Sequence, residues 1–346
     1  MKKIISLCLG AMIFATSISI SSASDLNVTR IAGGDRYETA VLANKKYMNK
    51  ADGNLAVIAS GQDFKTALYG SYMASALKVP FYVLPKNDGV SKAVLSELDS
   101  LSIKRVYVMG DKGVLSAKVD NTLKARGIGV ERIHDKVDNY KNKVYICDYV
   151  DGILFNAFFP NDIARGDNIG ILINDNKFPD LLSSVSFSSD LMRTHGYGVF
   201  SSNVLSERQE GLEYFSPQAY IIGGYDSVSN KFTTEQPLGD GTYRGDNRIY
   251  GSDRYKTAVE IAKAYKPVLN KDIKTIVLVN GKDYPDALSS SLVATMNNGA
   301  VLLTQPEKLN ADTREYIKNN DIRNVIIVGG TNSVSKTVEN ELRNLK

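Results

Sequence analysis

Short, uninterrupted apolar runs alternate along this chain with stretches in which apolar residues recur every three or four positions. In the last hundred residues Thr275–Val279, Ala300–Leu303 and Asn324–Val328 read as strands covered on both faces. Between them Tyr255, Ala258, Val259 and Ala262 fall at i, i+3, i+4 and i+7, the stripe of an amphipathic helix. Tyr284–Met296 and Asp312–Asn319 also suit helices. Strand and helix in alternation predict an α/β fold of small parallel sheets with right-handed crossovers.

The pattern is repeated. Residues 30–40 read RIAGGDRYETA and residues 248–258 read RIYGSDRYKTA. A second element occurs three times, as SGQDFKTAL around Phe64, NDNKFPDLL around Phe178 and NGKDYPDAL around Tyr284. A third occurs as VMGDKGVLS, IGGYDSVS and VGGTNSVS. Phe64, Phe178 and Tyr284 are 114 and 106 residues apart, and Gly110, Gly223 and Gly329 are 113 and 106 apart. Shared order and shared period mark one repeated unit. The expected limits are 28–130, 131–245 and 246–346. The middle copy is degenerate at its start, where RIHDKVDNYKNKV replaces the opening motif.

A D-R-Y-x-T-A opening, a G-x-x-[FY]-x-D-A-L middle and a V-x-G-G-x-x-[SA]-V-S close resemble the type 2 cell-wall-binding repeats of Gram-positive surface proteins. Thr66 departs from this pattern, standing where the other copies have Asp. The resemblance covers nearly all of the chain beyond its leader. It implies three tandem Rossmann-like or flavodoxin-like units in a pseudo-threefold arrangement. It also implies non-covalent attachment to the wall through an anionic secondary polymer, in a surface or S-layer-associated protein. Relatives often carry a separate functional domain, and this length is expected to leave none.

Each motif offers a structural and a functional reading. Asp35 and Asp253 precede a predicted helix as N-caps, and Glu38 would reach back in a capping box. Arg36 and Arg254 suit either a contact between copies or a phosphate or carboxylate of the polymer, which the guanidinium fork fits. In the second element Tyr284 and Asp286 flank Pro285, as Phe178 and Asp180 flank Pro179. Proline in a helix's first turn with Asp beside the dipole explains the motif structurally. Asp283 with Asp286 would supply the two carboxylates of a glycosidase. The pair is not kept in the other copies, where Asp63 and Thr66, and Lys177 and Asp180, take those places.

In the third element a strand ends in Gly329-Gly330 and turns into a helix at Ser333 or Ser335, with Ser116 and Ser229 as counterparts. Backbone N–H groups there could hold an anion, or glycine and serine could simply make the turn and cap. The spacing is not that of a nucleotide loop. The resemblance associates a Pro-Ile-Leu-Leu-like strand with polymer recognition. Its partial counterparts are Pro80, Phe81 and Tyr82 in copy one and Leu302, Leu303 and Thr304 in copy three. Apolar character makes the same residues core strand.

The first residues bear on compartment. Lys2 and Lys3 precede an apolar run from Ile4 to about Ile20, and Ser21-Ser22-Ala23 offers a cleavage site, so residues 1–23 read as a secretory signal peptide. No other stretch approaches the roughly 20 apolar residues of a membrane span. Loss of the leader leaves Cys147 as the one cysteine and, with Lys2 and Lys3 removed from the formal +4, a charge of +2, too balanced to imply nucleic acid. His134 and His195 belong to no ligand cluster, and no nucleophile signature occurs, so neither metal nor cofactor is expected. A secreted, non-catalytic wall-binding protein is the leading reading. A hydrolase of the polymer or of peptidoglycan is one alternative. An adhesion protein that binds other surface or S-layer proteins through its middle repeat is the other.

Overall fold

The apolar runs become the strands of three four-stranded, all-parallel sheets. The computed structural model describes residues 26–48, 54–161, 170–208, 220–229 and 247–345, so the leader lies outside the described residues. In chain order come β1 (Asn27–Ile31), α1 (Arg36–Tyr47), β2 (Leu55–Ser60), α2 (Phe64–Leu77), β3 (Phe81–Leu84), α3 (Lys92–Ser100), β4 (Arg105–Met109) and α4 (Lys118–Lys124). They are followed by β5 (Gly129–Ile133), a two-strand ribbon β6 (Lys136–Val137) and β7 (Lys143–Val144), α5 (Ile146–Phe158), β8 (Gly170–Ile173), α6 (Phe178–His195), β9 (Gly198–Ser201), α7 (Ser202–Arg208) and β10 (Tyr220–Ile222). The last copy supplies β11 (Arg248–Ile249), α8 (Arg254–Leu269), β12 (Thr275–Asn280), a 3₁₀ turn (Pro285–Ala287), α9 (Ser290–Met296), β13 (Gly299–Thr304), α10 (Ala311–Asn319), β14 (Asn324–Val328) and α11 (Lys336–Arg343).

The sheets have the orders β5-β4-β2-β3, β11-β10-β8-β9 and β1-β14-β12-β13. Each therefore takes its outer strand from the opening of another repeat. β5 begins the second copy yet completes the first sheet, β11 begins the third copy yet completes the second, and β1 closes the ring on the last sheet. A division at residue 130 passes through β5. In register, Ile31 pairs with Val328, Ile133 with Met109 and Ile249 with Ile222. Three sheets of one order in a closed cycle are the pseudo-threefold arrangement.

β2 and β12 are buried along their whole length, as strands covered on both faces must be. Val57 and Ala59 of β2 face the central core shared by all three repeats, whereas Ala56 and Ile58 face the core between the first sheet and its outer helices. At the centre α2, α6 and α9 pack on one another. Small residues stand where they meet: Ser189 Oγ donates to the Tyr72 carbonyl at 3.2 Å and Ser291 Oγ to the Leu182 carbonyl at 3.5 Å. Buried serines satisfy themselves partly along their own helix, as Ser183 does on the Pro179 carbonyl at 2.7 Å and Ser189 on Val185 at 2.7 Å. The stretch 284–296 is not one helix. Ala287 N–H donates to the Tyr284 carbonyl at 2.9 Å in the 3₁₀ turn, and regular helix begins only at Ser290.

Candidate functional site

The opening motif is the joint between repeats. Its arginine does the same thing three times: Arg30, Arg132 and Arg248 each donate from Nη1 to the carbonyl of the glycine ending the neighbouring strand, Gly329 at 2.7 Å, Gly110 at 3.0 Å and Gly223 at 2.9 Å. In return the N–H of each glycine donates to Ile31, Ile133 or Ile249. These glycines have φ of +120°, +92° and +106°, open to a residue without Cβ. Arg30 also binds Glu339, whose carboxyl is buried. Burial opposes its ionisation, but hydrogen bonds from Arg343, Lys336 and Arg30 outweigh burial and bring it to about 2.

The D-R-Y segment then carries the chain from one sheet onto the next. Asp35 and Asp253 accept the N–H of Glu38 at 2.8 Å and Lys256 at 2.9 Å, so both are N-caps. Glu38 reaches back to Gly34 N–H at 2.7 Å. Arg36 and Arg254 each donate from Nη1 to a strand-end carbonyl, Gly61 at 2.8 Å and Gly281 at 2.7 Å. The Arg254 guanidinium also lies 5.7 Å from the Phe178 ring centre, in the preceding repeat. Arg254 remains exposed and Arg36 half-buried.

The second and third elements meet beneath this joint. Phe64, Phe178 and Tyr284 form one cluster around the pseudo-threefold axis, with ring centres 6.2, 5.5 and 5.8 Å apart. Asp180 accepts the Ser227 hydroxyl at 2.8 Å, beside Gly223. Asp286 and Ser333 make the matching approach to Gly329. Burial pushes the Asp180 carboxyl up, with the Ser227 hydroxyl and the Lys177 and Arg254 cations opposing. The first copy replaces this polar pair by Thr66 and Val114. Asp283 accepts the N–H of Tyr284 at 2.9 Å.

Tyr284, Asp286, Gly329, Gly330 and Ser333 are thus brought together, next to the opening motif that bears Arg36. Two expectations are corrected. Pro80, Phe81, Tyr82, Leu302, Leu303 and Thr304 are all buried, the last five with no exposed surface. Their side chains build the sheets, and Thr304 Oγ1 bonds the Lys308 carbonyl at 3.0 Å. Gly329 N–H does not await an anion, since the Ile31 carbonyl accepts it at 2.9 Å. Of the two serines, Ser335 is the helix cap and Ser333 belongs with Asp286.

The middle copy differs for a physical reason. A Cβ on Gly61 or Gly281 would fall 2.7 or 2.6 Å from Cε1 of Tyr37 or Tyr255, so the aromatic of the D-R-Y motif requires glycine there. In the second repeat Cys147 takes the tyrosine's place on the helix and Asp175 takes the glycine's. Asp175 is buried, paired to Lys65 at 2.8 Å and bonded by Tyr69 at 3.2 Å and Asn203 at 2.7 Å. Asp151 likewise accepts the Tyr72 hydroxyl at 3.1 Å and Val199 N–H at 2.8 Å. Burial, with Asp148, Asp151 and Asp175 nearby, pushes the Cys147 thiol up and leaves it unreactive. The first and second repeats are therefore sealed by a buried polar network.

The joint between the second and third repeats stays open instead. A groove of about 700 Å³ runs there between the turn after β10 and the turn before α8, with Phe178, Asp180 and Arg254 along it. Its walls include Tyr225 and Tyr250, which sequence reasoning did not select because each stands where the other copies have no tyrosine. Among the described residues no group of three His, Cys, Asp or Glu side chains is placed to hold a metal ion, and no helix is long and apolar enough to cross a membrane.

The cell wall binding domain 2 (CWB2) family profile matches residues 30–120 and 248–339, just over half of the chain. N-acetylmuramoyl-L-alanine amidase LytC of Bacillus subtilis (strain 168) is 25% identical over 345 residues, covering 99% of this chain and 62% of that protein. The amidase enhancer of the same organism is 26% identical over 341 residues, covering 94% and 43%. The chain thus spans less than two thirds of either relative. Among solved structures, Cwp6 from Clostridium difficile matches with a TM-score of 0.70 at 20% identity, covering 94% of this chain and 48% of that one. Cwp8 from Clostridium difficile matches with a TM-score of 0.68 at 17% identity, covering 93% and 52%. These likenesses are likenesses of fold.

Proposed function

Because this chain belongs to the cell wall binding domain 2 family, we propose that it is a secreted, non-catalytic protein held on the Gram-positive cell wall by an anionic secondary polysaccharide gripped at the joints between its repeats. The observation that carries this reading is the joint itself. There the opening motif of one repeat meets the aromatic and Gly-Gly motifs of another, beside a groove at the joint of the second and third repeats. Related joints on one rigid body could engage one repetitive chain together, so weak subsites would add to firm retention. Display among other S-layer proteins belongs to the same reading.

Retention on native walls, compared with walls stripped of phosphate-linked polymer, tests it. Retention should fall on stripped walls and weaken as salt rises, because screening at physiological ionic strength already acts over about 8 Å. Equal retention on both would overturn the polymer reading. Release of sugar or peptide fragments from walls by the purified protein would overturn the non-catalytic one.

A further inference from the structure

The groove between the second and third repeats carries an exposed aromatic pair that its counterparts lack. Tyr225 and Tyr250 are 50% and 43% exposed, with ring centres 5.7 Å apart and planes at 72°. Both line the groove. The Arg248 guanidinium sits 4.3 Å from the Tyr225 ring centre and is itself held by donation from Nη1 to the carbonyls of Gly223 and Val228. Gly224 lies against the other ring, where a Cβ would fall 3.4 Å from Tyr250. At the matching places the ring-closing joint has Thr331 and Ala32, and the first joint has Lys112 and His134. Two large amphipathic rings held by fixed neighbours in a groove make a platform for a ligand with one apolar face and a hydroxylated rim.

Charge narrows the ligand. Among the groove's lining residues Lys177 and Arg254 are cations, but Asp180, Asp226 and Asp253 are carboxylates. Lys177 moreover donates to the Asp226 carbonyl at 2.7 Å, and Arg254 to Gly281. Such a surface does not favour a phosphate or carboxylate, whereas carboxylates and an ammonium readily pair with sugar hydroxyls. We infer that this groove binds an uncharged pyranose ring of the wall polysaccharide by stacking on Tyr225 and Tyr250, with the polymer's charged groups lying outside it. The inference rests on the wall-binding reading and names the part of the polymer that this one joint takes.

The test uses the full chain, the intact phosphate-linked polymer, and the neutral oligosaccharides obtained from it by cleaving its phosphodiesters. Saturation-transfer NMR should place the neutral oligosaccharide's ring C–H protons against the protein, with affinity unchanged between low and high salt. Tyr225→Ala with Tyr250→Ala should weaken that binding on the order of ten-fold, since both stacking faces are lost. Tyr225→Phe with Tyr250→Phe, which keeps the faces and checks the fold, should retain it. Unchanged binding by the alanine variant would overturn the inference. So would binding of the intact polymer without its neutral oligosaccharide, an outcome that leaves the wall-binding reading standing. Failure to bind either would overturn both.

Discussion

Single residues at the joints do work that no isolated repeat requires of them. Gly329 adopts φ +120°, and a Cβ there would crowd Ser333 and Asp286 at 3.0–3.1 Å. Gly329→Ala should lower stability by about 1–3 kcal/mol in chemical denaturation, through left-handed strain and displacement of that pair. Glu339 gathers Arg30, Lys336 and Arg343. Its folded pKa lies below its ordinary value, so its stabilisation is present above about pH 4.5 and fades as pH falls towards 2. Glu339→Gln should therefore cost on the order of 3 kcal/mol at neutral pH, with the gap to wild type closing across that window in melts taken at successive pH values. A constant gap would show that the charge is not what matters. The arginine of R-I was legible as a repeated letter but not as a clamp, because its glycine partner lies in the closing motif of another repeat and only the pairing of the two strands brings them together.

Among the elements, β1 shows how local reading and tertiary pairing part company. The strands Thr275–Asn280, Gly299–Thr304 and Asn324–Val328 were legible within a residue or two, since strands buried on both faces are continuously apolar. β1, β5 and β11 were not. They lie at sheet edges, are only partly buried, and their polar residues interrupt the apolar run. Deleting residues 26–31 should expose β14 as an open edge and remove the Arg30 clamp on Glu339. Hydrogen exchange should then quicken in β14 and α11, hundreds of residues away in sequence, before it quickens in β4. Unchanged protection of β14 would mean that the ring is closed by helix packing alone.

At the scale of the whole molecule, the three-ring cluster on the axis ties the repeats together. Phe178 touches Phe64 of the first repeat and Tyr284 of the third. Phe178→Ala should shift a single unfolding transition downward by about 2–3 kcal/mol, less than for a fully buried ring because the cluster is partly exposed. Splitting into separate transitions would instead reveal repeats that fold independently. Equal architecture does not make equal joints. One is sealed by Lys65, Asp175 and the Tyr69 and Tyr72 hydroxyls, while another opens into the Tyr225 and Tyr250 groove.

The α/β class, the threefold period and the capping aspartates were already settled along the chain, because periodicity and cap chemistry act over a few residues and need no partner from afar. Of the candidate site, Tyr284, Asp286, Gly329, Gly330, Ser333 and the two arginines were legible as repeated motifs. The strand residues Pro80, Phe81, Tyr82, Leu302, Leu303 and Thr304 were legible as core from their apolar character, but not whether their ends also reach a ligand. An apolar segment reads the same whether its exit meets solvent or core, and only the sheets and helices packed around it decide. Tertiary structure also decided which repeat supplies each outer strand and which joint stays open. Both depend on what a residue meets across the ring: glycine before a tyrosine in two repeats, aspartate beside a cysteine in the third.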